Sequence, residues 1–209
     1  MLSDAVRRFK ASLEIGYEQW HDGVGYDLEA LDELTDSERH TIERLLIPRA
    51  SQDWRDLEAL DRLGTPAARQ AILNVRKADD ANIRLRALDY GPEASAQEWE
   101  DALVASLETA QLYDGLSQAL ARAAEHPSQA VVDILWRKIR DPESGVAYHC
   151  AATLSCIMGA IDSPYDDAWR PLFLRLVGPS SPDRSAAVRE LEERLAGRGI
   201  SPVDPPMVS

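Results

Sequence analysis

Apolar residues recur at helical spacing along most of the chain. Near the start, Val6, Phe9, Leu13 and Tyr17 follow one another at intervals of three and four residues, which places them on one stripe of a helix. Similar stripes continue along the sequence, separated by short connections that make successive helices antiparallel. No stretch alternates apolar and polar residues between turn signals, so the sequence predicts few or no strands. The pattern predicts an all-α protein.

Start and stop signals divide this pattern into separate helices. Thr35 precedes Glu38 by three residues, which is the spacing of a capping box. Asp53 stands where it can cap the helix that follows, and Gly64 is suited to end that helix. Thr65 can then begin the next helix, because a proline follows it at the first helical position.

Two segments of the sequence have the same order of features. Residues 57–88 and 120–154 each contain a helix, a turn with a proline, a second helix ending in basic residues, an aspartate and a third helix. The five tryptophans are spaced at intervals of similar length. Self-similarity at a period of roughly 30–45 residues is typical of α-solenoids.

The residues of these segments resemble HEAT repeats. Residues 53–88 resemble one HEAT unit, with Asp80 in its turn and Arg84 at the start of the next helix. Residues 127–154 are similar to another unit, but the arginine is replaced near residues 145–147, so the Asp–Arg ladder typical of the family is incomplete. The resemblance implies a right-handed α-solenoid of HEAT-like antiparallel helical pairs.

The whole chain is similar to a group of small bacterial HEAT-repeat proteins, through the motifs YEQWHDGVGYDLEAL, DWRDLEALDRLGTP, VAYHCAATL and WRPLFLRLV. This resemblance implies a non-catalytic protein-binding module, and our hypothesis is an antidote (an immunity protein) that neutralises a toxin enzyme. We expect one HEAT-like helical domain over residues 1–197 and a disordered tail over 198–209. Within that domain we expect an acidic N-terminal cap over 1–50, the clearest repeats over 53–160 and a C-terminal cap over 161–197.

The net charge narrows the choice of partners. The 209 residues include 36 Asp and Glu against 23 Lys and Arg, a formal net charge of −13. Nucleic acids and anionic membranes repel such a chain, so we expect neither as a partner and expect a basic protein instead. No apolar run is long enough to span a bilayer, and the first residues do not have the order of a secretory signal, so we predict a cytoplasmic protein.

The acidity is concentrated near the N-terminus. Residues 14–38 hold nine acidic residues and no lysine or arginine, together with tyrosines and a tryptophan that could anchor an interface. A solvated acidic face on the capping helices remains an alternative to a partner surface. The residues that we predict to bind the partner are Tyr17, Trp20, Asp22, Tyr26, Asp27, Glu29, Asp32 and Glu33.

Catalytic and metal-binding motifs are missing from the sequence. His21 lies beside Asp22, but no nucleophile signature accompanies the pair, and we favour a turn or a partner contact there. The four histidines lack metal-ligand spacing, so we predict no metal and no cofactor. Cys150 and Cys156 lie six positions apart, on opposite sides of a helix, and we predict buried free thiols.

Two other functions are compatible with the sequence. HEAT-like folds include DNA glycosylases and bilin lyases, so an enzyme with a site in the concave groove is the main alternative. In this sequence, Asp133 and the nearby Trp136 would be the acidic and aromatic residues of such a site. A general scaffold with several weak partners is the other alternative.

Overall fold

The computed structural model describes residues 3–14, 24–112, 114–178 and 182–200. Within these ranges the chain forms twelve α-helices, a short 3-10 helix and no strand, which confirms the all-α prediction. Residues 201–209 of the predicted disordered tail lie outside the described residues. The helices are α1 (Asp4–Ser12), α2 (Glu29–Asp32), α3 (Asp36–Leu46), α4 (Trp54–Leu63), α5 (Pro66–Val75), α6 (Ala81–Ala87), α7 (Ala96–Thr109), α8 (Leu116–Glu125), α9 (Gln129–Arg140), α10 (Ala147–Ile157), α11 (Arg170–Leu174) and α12 (Pro182–Leu195).

The chain divides into two compact units, residues 1–94 and residues 95–209. The division falls inside the range 53–160 that the sequence assigns to one run of repeats. Whether the two units form the single domain expected over residues 1–197 stays a prediction.

The capping signals of the first unit lie where the sequence places them. Glu38 accepts a hydrogen bond from the backbone N–H of Thr35 at 3.0 Å, and the two residues complete the capping box at the start of α3. Asp53 accepts from the backbone N–H two residues later at 3.0 Å and begins α4. Gly64 ends α4 with φ +64°, a left-handed conformation that favours glycine, and Thr65 caps α5.

Helix α4 is the centre of the first unit. It packs against α2, α3, α5 and α6, while α1 packs against α2. Leu57 and Leu60 of α4 are fully buried, and so are Phe9 from α1 and Ile42 from α3. Burying one such side chain contributes about 1.5–3 kcal/mol to the free energy of folding, so these helices are held mainly by their apolar faces.

The second unit packs each helix against its near neighbours in sequence. Helix α7 packs against α8 and α9, α10 packs against α8, α9 and α11, and α12 packs against α11. Leu103, Leu135, Leu154 and Phe173 have no exposed surface. The core of this unit therefore runs through consecutive helices.

A buried arginine joins α12 to the end of α9. Arg184 is 3% exposed, and its guanidinium donates to the backbone carbonyls of Ile139 at 3.0 Å and Asp141 at 2.6 Å. It also donates to the carbonyl of Leu176. One side chain thus satisfies carbonyls at a helix C-terminus that would otherwise lack partners.

None of the helices in the described ranges combines the length and the apolar character that a bilayer span requires.

Candidate partner-binding surface

The eight predicted partner-binding residues fall into two groups. Tyr17, Trp20 and Asp22 lie outside the described residues, as does the neighbouring His21. Tyr26, Asp27, Glu29, Asp32 and Glu33 are described, and all five lie in α2 or within three residues of its ends, Glu33 directly after it.

Tyr26 lies in the core of the first unit. It is 6% exposed, and its ring makes an edge-to-face contact with the Phe9 ring, with 5.8 Å between centroids. Its hydroxyl donates to Asp56 Oδ1 at 3.0 Å and accepts from Arg49 Nη2 at 3.2 Å. The guanidinium carbon of Arg55 lies 4.9 Å from the ring centroid. With its ring and its hydroxyl both used internally, Tyr26 stabilises the loop before α2 and offers almost no surface to a partner.

Tyr26 belongs to a buried polar cluster that the sequence did not reveal. Asp56 is fully buried, and Arg49 Nε lies 3.3 Å from its Oδ2 atom. Burial raises the pKa of Asp56 despite the hydrogen bond from Tyr26, and burial also raises the pKa of the Tyr26 hydroxyl, with a smaller effect from Asp56. Burial acts in the same direction on Asp53, but hydrogen bonds from Arg55 outweigh it and lower the pKa of that carboxyl.

Asp27 and Glu33 share one arginine of α1. Arg8 Nε lies 3.1 Å from Asp27 Oδ2, and Arg8 Nη1 lies 2.9 Å from Glu33 Oε1. Asp27 also accepts from the backbone N–H of Ala30 at 3.1 Å, and its own N–H donates to the Ser12 hydroxyl at 3.0 Å. Asp27 therefore positions α2 against α1, whereas the more exposed Glu33 remains accessible.

Asp32 pairs with an arginine from α4. Arg62 Nε donates to Asp32 Oδ1 at 2.9 Å, and this hydrogen bonding lowers the pKa of Asp32. Half of the Asp32 side chain is still exposed. Glu29 and Asp36 are exposed and have no ion-pair partner in the described part of the chain.

We use the name acidic segment for residues 27–38, which contain six carboxylates and no lysine or arginine. The tertiary structure supplies two paired arginines to this segment, Arg8 and Arg62. Although residues 14–38 contain no lysine or arginine, these two arginines reduce the electrostatic repulsion among the carboxylates of the acidic segment. An excess of exposed negative charge nevertheless remains on the acidic segment, which can attract a cationic molecule.

Two arginines that could otherwise contact an anionic ligand form contacts within the chain. Arg76 donates to the backbone carbonyls of Ala87 at 3.2 Å and Tyr90 at 2.7 Å, and Arg137 pairs with Glu108 at 2.8 Å. These contacts leave those arginines less available to bind phosphate groups.

The residues of the alternative enzyme site also have local partners. Asp133 is exposed and accepts from the Gln129 side chain at 2.8 Å. The guanidinium carbon of Arg140 lies 4.8 Å from the centroid of the half-buried Trp136 ring. These contacts do not add a nucleophile or a second acid to Asp133.

Both cysteines are free, as predicted; Cys150 is also buried as predicted, whereas Cys156 is only half-buried. Burial raises the pKa of the Cys150 thiol to about 12 and that of Cys156 to about 11. In the described ranges no group of three or more His, Cys, Asp or Glu side chains has an arrangement that could hold a metal ion.

No family model, no curated protein and no solved structure matches this chain.

Proposed function

We propose that this chain is a non-catalytic protein-binding module that blocks a cationic surface of a partner, and that the partner is a toxin enzyme for which this chain is the antidote. The observation behind the proposal is the excess of exposed carboxylates on the acidic segment over the arginines that pair with them. Complementary charge accelerates encounter with a basic protein and disfavours acidic competitors.

We further propose that the helices form HEAT-like antiparallel pairs stacked as a right-handed α-solenoid. The contacts of the second unit support this arrangement, because α7 and α8 pack as one pair, α9 and α10 as the next, and each helix also contacts its counterpart in the other pair. Solenoids of this kind present extended surfaces, and those surfaces suit protein binding.

The thiol chemistry is also consistent with a binding role. With pKa values of about 12 and about 11, Cys150 and Cys156 are almost fully protonated near neutral pH. A protonated thiol is a poor nucleophile, so neither residue is suited to covalent catalysis.

The proposal is tested by neutralising the acidic segment and measuring binding to the partner. The partner is captured from a lysate of the source cells, identified and purified, and its affinity is measured by calorimetry at several salt concentrations. The test variant combines Glu29→Gln, Asp32→Asn, Glu33→Gln and Asp36→Asn. The control variant removes the same charge from exposed sites of the second unit through Asp101→Asn, Glu143→Gln, Asp167→Asn and Glu193→Gln.

We expect a basic partner whose enzymatic activity is inhibited by the wild-type chain. The test variant should bind it at least about tenfold more weakly than the control variant, because each lost ion pair across an interface weakens binding, and added salt should weaken wild-type binding as well. Equal affinity of the test and control variants would contradict a role for the acidic segment. A partner that binds but keeps its full activity would contradict the antidote role.

A further inference from the structure

A groove in the second unit lies between α8, α10 and the loop that follows α10. Its volume is about 440 Å³, within the range of about 300–1,000 Å³ that is typical of small-molecule sites. Its lining includes Leu120, Ala121 and Ala124 of α8, Ala152 of α10, and Asp162 and Tyr165 of the loop.

Small side chains on two packed helices create the space. Ala121 and Ala124 lie on α8, and Ala152 lies on α10, which packs directly against α8. Leu120 and Ala152 are buried and form an apolar floor. Apolar atoms of a ligand would therefore leave water on entering the groove, which favours binding.

Tyrosine rings are available at the groove. The Tyr148 ring packs edge-on against His149 and Phe173, with centroid distances of 5.1 Å and 5.8 Å, so neighbouring rings fix its orientation. Tyr165 is 86% exposed, the highest value among the exposed large apolar residues in the described part of the chain. The faces of such rings attract cations as well as apolar groups.

The charge of the lining is negative. Among the described lining residues, Asp162 is the single acidic residue, and none is a lysine or arginine. Asp162 is exposed, and its carboxylate has no hydrogen-bond or ion-pair partner in the described ranges. Asp162 and Asp166 both act on the Cys156 thiol, where they add to the effect of burial in raising its pKa. Arg198 reaches the neighbouring loop, but its guanidinium donates to the Gly159 carbonyl at 2.8 Å and does not line the groove.

We propose that this groove binds a small organic cation, an amine or guanidine with an aliphatic or aromatic body. The apolar body lies against Leu120 and Ala152, and the cationic group pairs with Asp162 beside the Tyr165 ring. An anionic ligand would meet the Asp162 carboxylate with no lysine or arginine in the lining to offset the repulsion. A neutral ligand would gain the apolar contact but not the ion pair with Asp162. This site does not depend on the partner proposed for the acidic segment.

The experiment uses the full chain labelled with ¹⁵N and follows backbone amide shifts by NMR. The probes are 2-phenylethylammonium, its neutral analogue 2-phenylethanol and the anion 3-phenylpropanoate. We expect the ammonium probe to shift amides of α8, α10 and the loop around Asp162, and to bind at least about fivefold more tightly than the alcohol, because a charge-assisted hydrogen bond adds to the apolar contact. The anion should bind more weakly than both.

Three variants test the residues of the groove. Asp162→Asn should weaken the ammonium probe at least about fivefold and leave the alcohol unchanged, whereas Asp167→Asn removes the same charge from an exposed position of the same loop outside the lining and should have little effect. Ala121→Trp places a large side chain in the groove from an exposed position and should abolish binding of both probes.

The pattern of shifts and affinities decides the proposal. Binding of the alcohol as tight as that of the ammonium, or equal effects of Asp162→Asn and Asp167→Asn, would overturn the assignment of a cation to this groove. Shifts confined to other helices, or no shift with the ammonium probe, would overturn the site itself. Far-UV circular dichroism of each variant confirms that it is folded before the titration.

Discussion

The hydroxyl of Tyr26 offers a sharp test of the buried polar cluster. Replacing Tyr26 with Phe keeps the ring, its edge-on contact with Phe9 and the Arg55 guanidinium above it. The change removes the hydrogen bond to Asp56 Oδ1 at 3.0 Å and the acceptor for Arg49 Nη2 at 3.2 Å. Two polar groups thereby lose a partner in a region that is closed to water at Asp56.

A hydrogen bond to a charged group contributes about 1.5–3 kcal/mol, and a buried group left without a partner costs a similar amount. The bond to the fully buried Asp56 falls in that class, whereas Arg49 is partly exposed and water can replace its lost acceptor. We therefore expect Tyr26→Phe to lower the free energy of unfolding by about 2 kcal/mol near pH 7.

The loss should depend on pH, because burial raises the pKa of Asp56 while the Tyr26 hydrogen bond acts against that rise. A carboxyl with a raised pKa contributes stability that is fully present below its unfolded pKa of about 3.9 and is lost as pH rises through its folded pKa. Without the hydroxyl, the folded pKa of Asp56 rises further. The difference between wild type and Tyr26→Phe should thus be largest near neutral pH and should shrink toward about pH 4.

Urea unfolding followed by circular dichroism and by tryptophan fluorescence measures this difference at several pH values. The control is Tyr165→Phe, the same chemical change at a side chain that is 86% exposed, which should alter stability by less than about 0.5 kcal/mol. Equal stability of the two variants near pH 7 would refute the importance of the buried hydroxyl. A difference that stays constant down to about pH 4 would refute the role of Asp56 ionisation.

Two further predictions concern the second unit. Arg184→Ala leaves backbone carbonyls near the end of α9 without their donor and should lower the free energy of unfolding by about 3 kcal/mol or more. Arg189→Ala, on the exposed side of α12, should be nearly neutral. Urea unfolding measures both variants, and equal losses would contradict the structural role of Arg184. With its pKa at about 11, Cys156 in a Cys150→Ala background should react with iodoacetamide near pH 8 about 100-fold more slowly than in the urea-unfolded chain. Comparable rates in the folded and unfolded chains would contradict that pKa.

Helix boundaries could be predicted from the sequence because their causes are local. The capping box of Thr35 and Glu38 joins residues only three positions apart, and the Asp53 cap acts on a backbone N–H two positions away. Gly64 ends α4 through its own backbone conformation. Interactions over so few residues are visible in the sequence itself.

The candidate surface was predicted only in part, because its decisive contacts join distant residues. The carboxylates of Asp32 and Glu33 are exposed, as an acidic surface requires, but their partners Arg62 and Arg8 lie 30 and 25 positions away. The residues at 14–38 gave no sign of these arginines. The same limit hid the groove, whose lining comes from two helices and a loop that meet only through packing.

Tyr26 shows most clearly the difference between what the sequence predicts and what the tertiary structure decides. In the sequence it stands among acidic residues beside glycines, and tyrosine in such a setting is typical of an interface. In the structure its hydroxyl reaches Asp56, 30 positions along the chain, and its ring is buried. The sequence by itself determined the helical pattern, the caps and the total charge, because these depend on neighbouring residues and on composition. Tertiary structure alone decided which carboxylates are paired, which aromatic ring is buried and where a groove opens, because burial and ion pairing depend on distances between segments that only packing brings together.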